Sequence, residues 1–188
     1  MASMTTTKTK WVIDHAHSEI AFKVKHLMIV NVKGVFTEYR ASIYTTGDDF
    51  TTVEFDFWMD PNSLKTNDEK RDAHLRSSDF FDTEHHKEIT FQSNTIEKKD
   101  DDKYELWGNL TIKGITKKIH LDVDFGGIQK DPWGNEVAGF TINGKVNRKD
   151  WDLNWNTVLE SGGVLVGDMV TIACEVELKK EGEVNDGK

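Results

Sequence analysis

The stretch Tyr104-Glu-Leu-Trp-Gly-Asn-Leu-Thr-Ile112-Lys-Gly-Ile-Thr-Lys-Lys-Ile119-His-Leu-Asp-Val-Asp-Phe125 decides the fold class. Tyr104, Leu106, Leu110 and Ile112 share one parity. After an interruption at residues 113–117, Ile119, Leu121, Val123 and Phe125 share one again, with His120, Asp122 and Asp124 between them. Successive side chains of a strand leave on opposite faces, so this alternation marks two half-buried strands, and the interruption containing Gly114 reads as the turn of a hairpin.

The same pattern continues in both directions. Ile20, Phe22 and Val24 alternate with Glu19, Lys23 and Lys25, and Val53, Phe55, Phe57 and Met59 alternate with Glu54, Asp56 and Trp58. A strand is expected around residues 34–44, another opens at Ile89 and Phe91, and the charged run at 97–103 reads as a turn. A loop at 126–134, rich in turn formers, leads to a strand carrying Phe140, Ile142 and Val146. The last strand spans 170–178, with Val170, Ile172, Cys174, Val176 and Leu178 on one face. About eight one-sided strands must bury their apolar faces against one another, which predicts an all-β fold, a closed antiparallel barrel or a sandwich. Periodicity alone leaves these two open.

One segment departs from the pattern. Thr66-Asn-Asp-Glu69 has the spacing of a capping box, so a helix is expected from about residue 67 through Ser77, with a further turn at 78–81. At 3.6 residues per turn, Arg71, His74, Leu75 and Ser78 fall within one arc.

Composition narrows the function. At 188 residues the chain suits one domain. Its formal charge of −9, without a Lys/Arg-rich stripe, disfavours nucleic acid. There are apolar clusters but no run long enough for stable membrane insertion. The single cysteine, Cys174, excludes an intrachain disulfide and reads as a small buried apolar residue. Residues 1–10 carry no apolar secretory segment, so the chain as written is expected in the cytoplasm, or in the periplasm if a leader has been removed. Those ten residues read as a flexible start or an expression scar, with Met4 a candidate natural start, and 181–188 as a frayed tail; the domain proper is expected over 11–180.

Candidate chemistry is sparse. His15 and His17 have strand-ligand spacing, but no HExxH, GxSxG or phosphate-cradling glycine motif occurs, so neither a metal site nor a catalytic centre is expected. More informative are cations of inward parity. Arg148 shares the parity of Phe140, Ile142 and Val146, which would point its guanidinium inward and demand either a carboxylate partner or an anionic ligand.

Five ordered motifs resemble the YceI-like family over nearly the whole chain. They are Trp11-Val-Ile-Asp14-His-Ala-His17-Ser18 with Phe22, His26-Leu27 and Gly34-Val-Phe36; Arg71-Asp72-Ala-His74-Leu75-Arg-Ser-Ser-Asp79-Phe80-Phe81-Asp82; Gly108-Asn-Leu110-Thr111-Ile112-Lys-Gly114-Ile-Thr116-Lys117; Asn147-Arg148-Lys-Asp150; and Val166-Gly167-Asp168-Met-Val170. The chain departs from the usual pattern at His15, at His86-Lys87 and at Asp152, all near turns. The resemblance implies a single extended, lipocalin-like barrel with a short helix, about residues 67–82, beside its opening. It also implies binding, transport or storage of a long isoprenoid lipid, a polyprenyl phosphate or a quinone-type molecule, with no other cofactor. On that reading the inward-parity residues Phe22, Val24, Phe55, Phe57, Leu121, Val123, Phe140 and Ile142 line the barrel, His26 and Leu75 are further ligand-binding candidates, and Arg71, His74 and Arg148 hold polar atoms at the cavity mouth. Alternatives are an enzyme acting on a lipid or quinone through Arg71, Asp72, His74 and Arg148, or a protein-interaction module whose core is filled. A homodimer is left open.

Overall fold

A computed structural model describes residues 6–185. The chain runs β1 (Thr7–Ile13), β2 (Glu19–His26), β3 (Val30–Phe36), β4 (Tyr39–Thr46), β5 (Asp49–Met59), β6 (Leu64–Lys65), α1 (Glu69–Arg76), β7 (Ile89–Asp100), β8 (Lys103–Ile112), β9 (Ile115–Lys130), β10 (Glu136–Asn147) and β11 (Val166–Asn185). Strand β11 closes the sheet. Its C-terminal half pairs with β1, from Thr7 opposite Asn185 to Ile13 opposite Leu178, and its N-terminal half pairs with β2. β1 and β2 are therefore two halves of one stave, broken by a 3-10 turn at His15–His17. β3 and β4 form a second broken stave, pairing with β2 and β1 respectively. With β5, β7, β8, β9, β10 and β11 they complete a closed antiparallel barrel of eight staves, so the barrel is formed and not the sandwich.

Several boundaries differ from expectation, each for a local reason. The interruption at 113–117 shrinks to Lys113 and Gly114, both at positive φ (52° and 73°), so that Ile112 faces Ile115 across a tight two-residue turn. The charged run at 97–103 is mostly strand. Glu97 to Asp100 pair with β8, and the turn is only Asp101 and Asp102. The expected loop at 126–134 is strand as far as Lys130, because a bulge beside Gly127 (φ 98°) inserts one residue opposite Gly139 and shifts the parity, so that Phe125 and Ile128 both pack inward. An alternation read without the bulge stops there. The segment 34–44 is not one strand but the end of β3 and most of β4.

The chain ends differ too. Residues 7–10 and 181–185, polar in sequence and expected to be loose, pair with each other across β1 and β11. The remainder of the expected loose ends, residues 1–5 and 186–188, lies outside the described residues. The helix begins later than the capping-box spacing suggests. Asn67 sits at φ 65°, which turns the chain, and Asp68 becomes the cap, its carboxylate accepting the Arg71 N–H at 3.0 Å. Thr66 instead donates its N–H and hydroxyl to Asp72 Oδ1, at 2.9 and 2.6 Å. The helix stops at Ser77, and turns carry the chain to residue 85.

The barrel ends are unlike. One is plugged by Trp11, Phe50, Phe125 and Phe140, with Phe50 centroids 5.0, 5.4 and 4.9 Å from the other three. Trp11 is fully buried and donates its indole N–H to Thr45. The other end is bordered by α1, the β2–β3 hairpin and the 148–165 loop. Two glycines open the interior: a Cβ on Gly108 would lie 2.2 Å from the Phe91 ring, and one on Gly34 would lie 2.3 Å from the Phe22 ring. Inward aromatic rings thus lie against bare backbone.

Candidate functional site

Strand parity does more than bury a core in this barrel. The inward residues surround a cavity of about 620 Å³, within the range of small-molecule pockets. Phe22 and Val24 from β2, Phe55 and Phe57 from β5, Leu121 and Val123 from β9, and Phe140 and Ile142 from β10 all stand in its wall. The cavity is thus assembled from the residues singled out by alternation. The core is hollow along its axis, so the filled-core alternative does not hold.

Cys174, on β11 opposite Ile142, also faces it. Burial pushes its thiol up to about 11, so it stays protonated and acts as a small apolar wall element. The sequence reading missed Trp151 and Phe36. Trp151 follows the end of β10 in a 3-10 turn, where period-2 counting no longer applies. It is buried against the cavity with its indole N–H on the Leu110 carbonyl at 3.0 Å.

Polar groups gather at the helix end. The ligand-binding candidates His26, Arg71, His74, Leu75 and Arg148 all border the cavity, together with Lys25, Asp68 and Lys70. They do not form one cluster. Arg71 is held by Thr66, donating Nε–H to its hydroxyl and Nη2–H to its carbonyl, both at 2.8 Å; through Thr66 it is linked to the buried Asp72. His74 bonds Asp79 at 2.8 Å and stands edge-on to Trp155 and Phe80, with centroids 4.5 and 5.2 Å away, bridging α1 to the 148–165 loop. Leu75 packs against the main core.

Arg148 resolves differently from the parity argument. β10 ends at Asn147, and Arg148 opens the 3-10 turn Arg148–Trp151 with only 4% of its surface exposed. Its partners are backbone carbonyls: Gly167 at 2.9 Å, Trp155 at 3.0 Å, Val166 at 3.4 Å, and Leu153. Asp168 is 3.7 Å away. Burial lowers its pKa, and Asp168 opposes that shift. Asp72 is not its partner. Arg148 is a clamp that pins the 148–165 loop to the start of β11, and its demand for partners is met within the chain.

The histidine pair behaves as a turn. His15 packs against Tyr39 in a tilted ring pair with centroids 4.5 Å apart, and His17 bonds Asp14 at 2.9 Å. Two constellations among the described residues bring His and carboxylate ligand atoms together. In Asp14, His17 and Glu177, Lys179 already pairs with Asp14 at 3.0 Å, and the His17 and Lys179 contacts hold the Asp14 carboxyl well below the usual carboxylate range. In Glu105, His120 and Asp122, all three have outward parity on β8 and β9, away from the cavity.

Taken together, one plugged aromatic end, apolar walls and a cation-rich end make a container polarised along its axis.

Comparison with known proteins places this geometry. The YceI-like domain model matches residues 11–178. A UPF0312 protein of Staphylococcus epidermidis is 39% identical over 170 residues, covering 90% of this chain and 96% of that protein; one from Staphylococcus aureus is 37% identical over the same extents. Among solved structures, a Campylobacter jejuni YceI protein mutant carrying a monobromobimane guest has a TM-score of 0.71 at 33% identity, over 87% of this chain and 90% of that one. A polyisoprenoid-binding domain from Saccharophagus degradans, 15% identical, shares the fold with a TM-score of 0.66 over 90% of this chain and 98% of that one.

Proposed function

The chain belongs to the YceI-like family, and from that premise we propose that its barrel binds one long isoprenoid lipid, tail toward the aromatic plug and head at the helix end. The observation that carries the reading is the apolar cavity of about 620 Å³ with its charged and histidine side chains gathered at the helix end. Each methylene moved from water to such a wall contributes about 0.8 kcal/mol before the cost of ordering the tail. The description of the Saccharophagus degradans domain as polyisoprenoid binding supports the same chemistry.

The head is inferred to be anionic, as in a polyprenyl phosphate. Lys25, Lys70 and Arg71 border the opening against the single carboxylate of Asp68, while Arg148 is already engaged by carbonyls. Such a protein carries or stores its lipid and needs no catalytic group.

Native mass spectrometry of protein purified without detergent, followed by organic extraction, tests this. The expected result is a bound mass that moves into the organic phase and shows isoprene-spaced fragments. Protein that is empty, and stays empty when a prenyl phosphate is added, would refute the reading.

A further inference from the structure

A lipid carrier must receive its cargo, and the β2–β3 hairpin beside the mouth has an unusual tip. Leu27, Met28, Ile29 and Val30 are 37%, 52%, 79% and 51% exposed, four consecutive apolar side chains in water. Leu27 and Met28 both sit at positive φ, 53° and 61°, where Asn or Gly is the ordinary choice. The turn keeps large apolar side chains at a backbone cost, which points to a role for the side chains themselves.

The tip is continuous with the cavity wall. Along β3 the inward parity runs Phe36, Gly34, Val32, Val30; Val32 lines the cavity and Val30 lies beyond its rim, opposite His26. Between Val30 and Gly34 the outer edge of β3 has no strand partner among the described residues, since β6 covers only Val35 and Phe36. An apolar track therefore leads from the interior to the exposed tip.

Charge selects the partner. In a chain of net charge −9, residues 20–37 contain Lys23, Lys25, Lys33 and His26, and no Asp or Glu. Lys23 and Lys33 stand directly opposite each other, an unfavourable like-charge pair that Glu19 relieves only at Lys33. Lys23 and Lys25 make no ion pair among the described residues. The neighbouring elements add Asp150, Asp152 and Glu160 on the 148–165 loop, Asp168 on β11 paired with Lys149 at 3.2 Å, and Asp68 and Glu69 against Lys70 and Arg71 at α1. The hairpin itself combines an apolar tip with a basic stem.

We propose that this hairpin docks the barrel on an anionic lipid bilayer, the Leu27–Val30 tip entering the acyl boundary while Lys23 and Lys25 meet lipid phosphates, so that the mouth opens onto the membrane. This rests on the lipid-binding reading and names the surface from which the lipid is taken. An apolar tip and a basic stem are the two elements that reversible interfacial binding requires.

Flotation with vesicles of phosphatidylcholine, alone or mixed with phosphatidylglycerol, tests it. Wild-type protein should float with the mixed vesicles, less so as salt is raised. Ile29→Asp, and separately Lys23→Glu, should each weaken partition by about tenfold or more. Both positions are exposed, so the variants should fold, and their uptake of a detergent-dispersed prenyl phosphate should be unchanged. Wild-type protein that takes up the prenyl phosphate but never floats would overturn the docking proposal and leave the lipid-binding reading intact. A dimer split by Ile29→Asp, with no vesicle binding, would assign the tip and the open β3 edge to contact between copies and would equally overturn it.

Discussion

Arg148→Met is expected to lower the free energy of unfolding by roughly 3–5 kcal/mol. Methionine replaces much of the stem volume but none of the donors, so the carbonyls of Leu153, Trp155 and Gly167 lose a charged partner in a nearly water-free site. Val166 keeps the amide of Asn156 at 2.7 Å. Urea unfolding should show a lower midpoint, and amide exchange should rise first in the 148–165 loop, which loses its clamp. Variant protein that remains folded should still take up a prenyl phosphate. Unchanged stability with lost uptake would mean that Arg148 serves the ligand and not the loop.

The second large effect is expected inside the barrel. Ile142 lies between Val123 and Cys174 on the neighbouring strands, and all three line the cavity. A carboxylate there would be desolvated by any tail that passes it. Ile142→Glu should therefore lower the affinity for long prenyl chains by about a hundredfold or more at neutral pH, since a bound tail leaves the charge without water or a partner. Chains too short to reach that depth should bind nearly as before. The control is Asn143→Glu, one residue further along β10 and exposed on the outer face, which should change neither. Equal losses in both variants would show that net charge, not the tunnel, is being read.

Much of this was legible from residue order because the barrel wall obeys a two-residue period. Where β2, β5, β8 and β9 run without a bulge, parity alone placed Phe22, Phe57, Leu106 and Leu121 inside. It failed where geometry adds a residue or removes a strand. The bulge beside Gly127 hid the last third of β9, and the end of β10 at Asn147 turned Arg148 from an inward strand residue into a loop clamp. Paired ends such as residues 7–10 and 181–185 are polar apart from Val184, so no alternation announces them; only closure of the sheet gives their backbone groups partners. The Arg71–Thr66–Asp72 network was invisible for a similar reason, since it depends on Asn67 at positive φ and not on helix spacing. His26, Arg71, His74 and Leu75 border the cavity, but the bonds from Arg71 to Thr66 and from His74 to Asp79 had to be seen.

The claim that the cavity holds a tail, and not merely a polar head, is tested most directly by titrating the wild-type protein with prenyl phosphates that differ only in isoprene number. Five more carbons are worth about 4 kcal/mol in gross transfer free energy, and after the cost of ordering them an increase of roughly tenfold in affinity per unit is expected. The gain should continue until the tail meets the ring of Phe50, Phe125 and Phe140, and then level off. Affinities that are the same for every chain length and follow the head group alone would contradict the account.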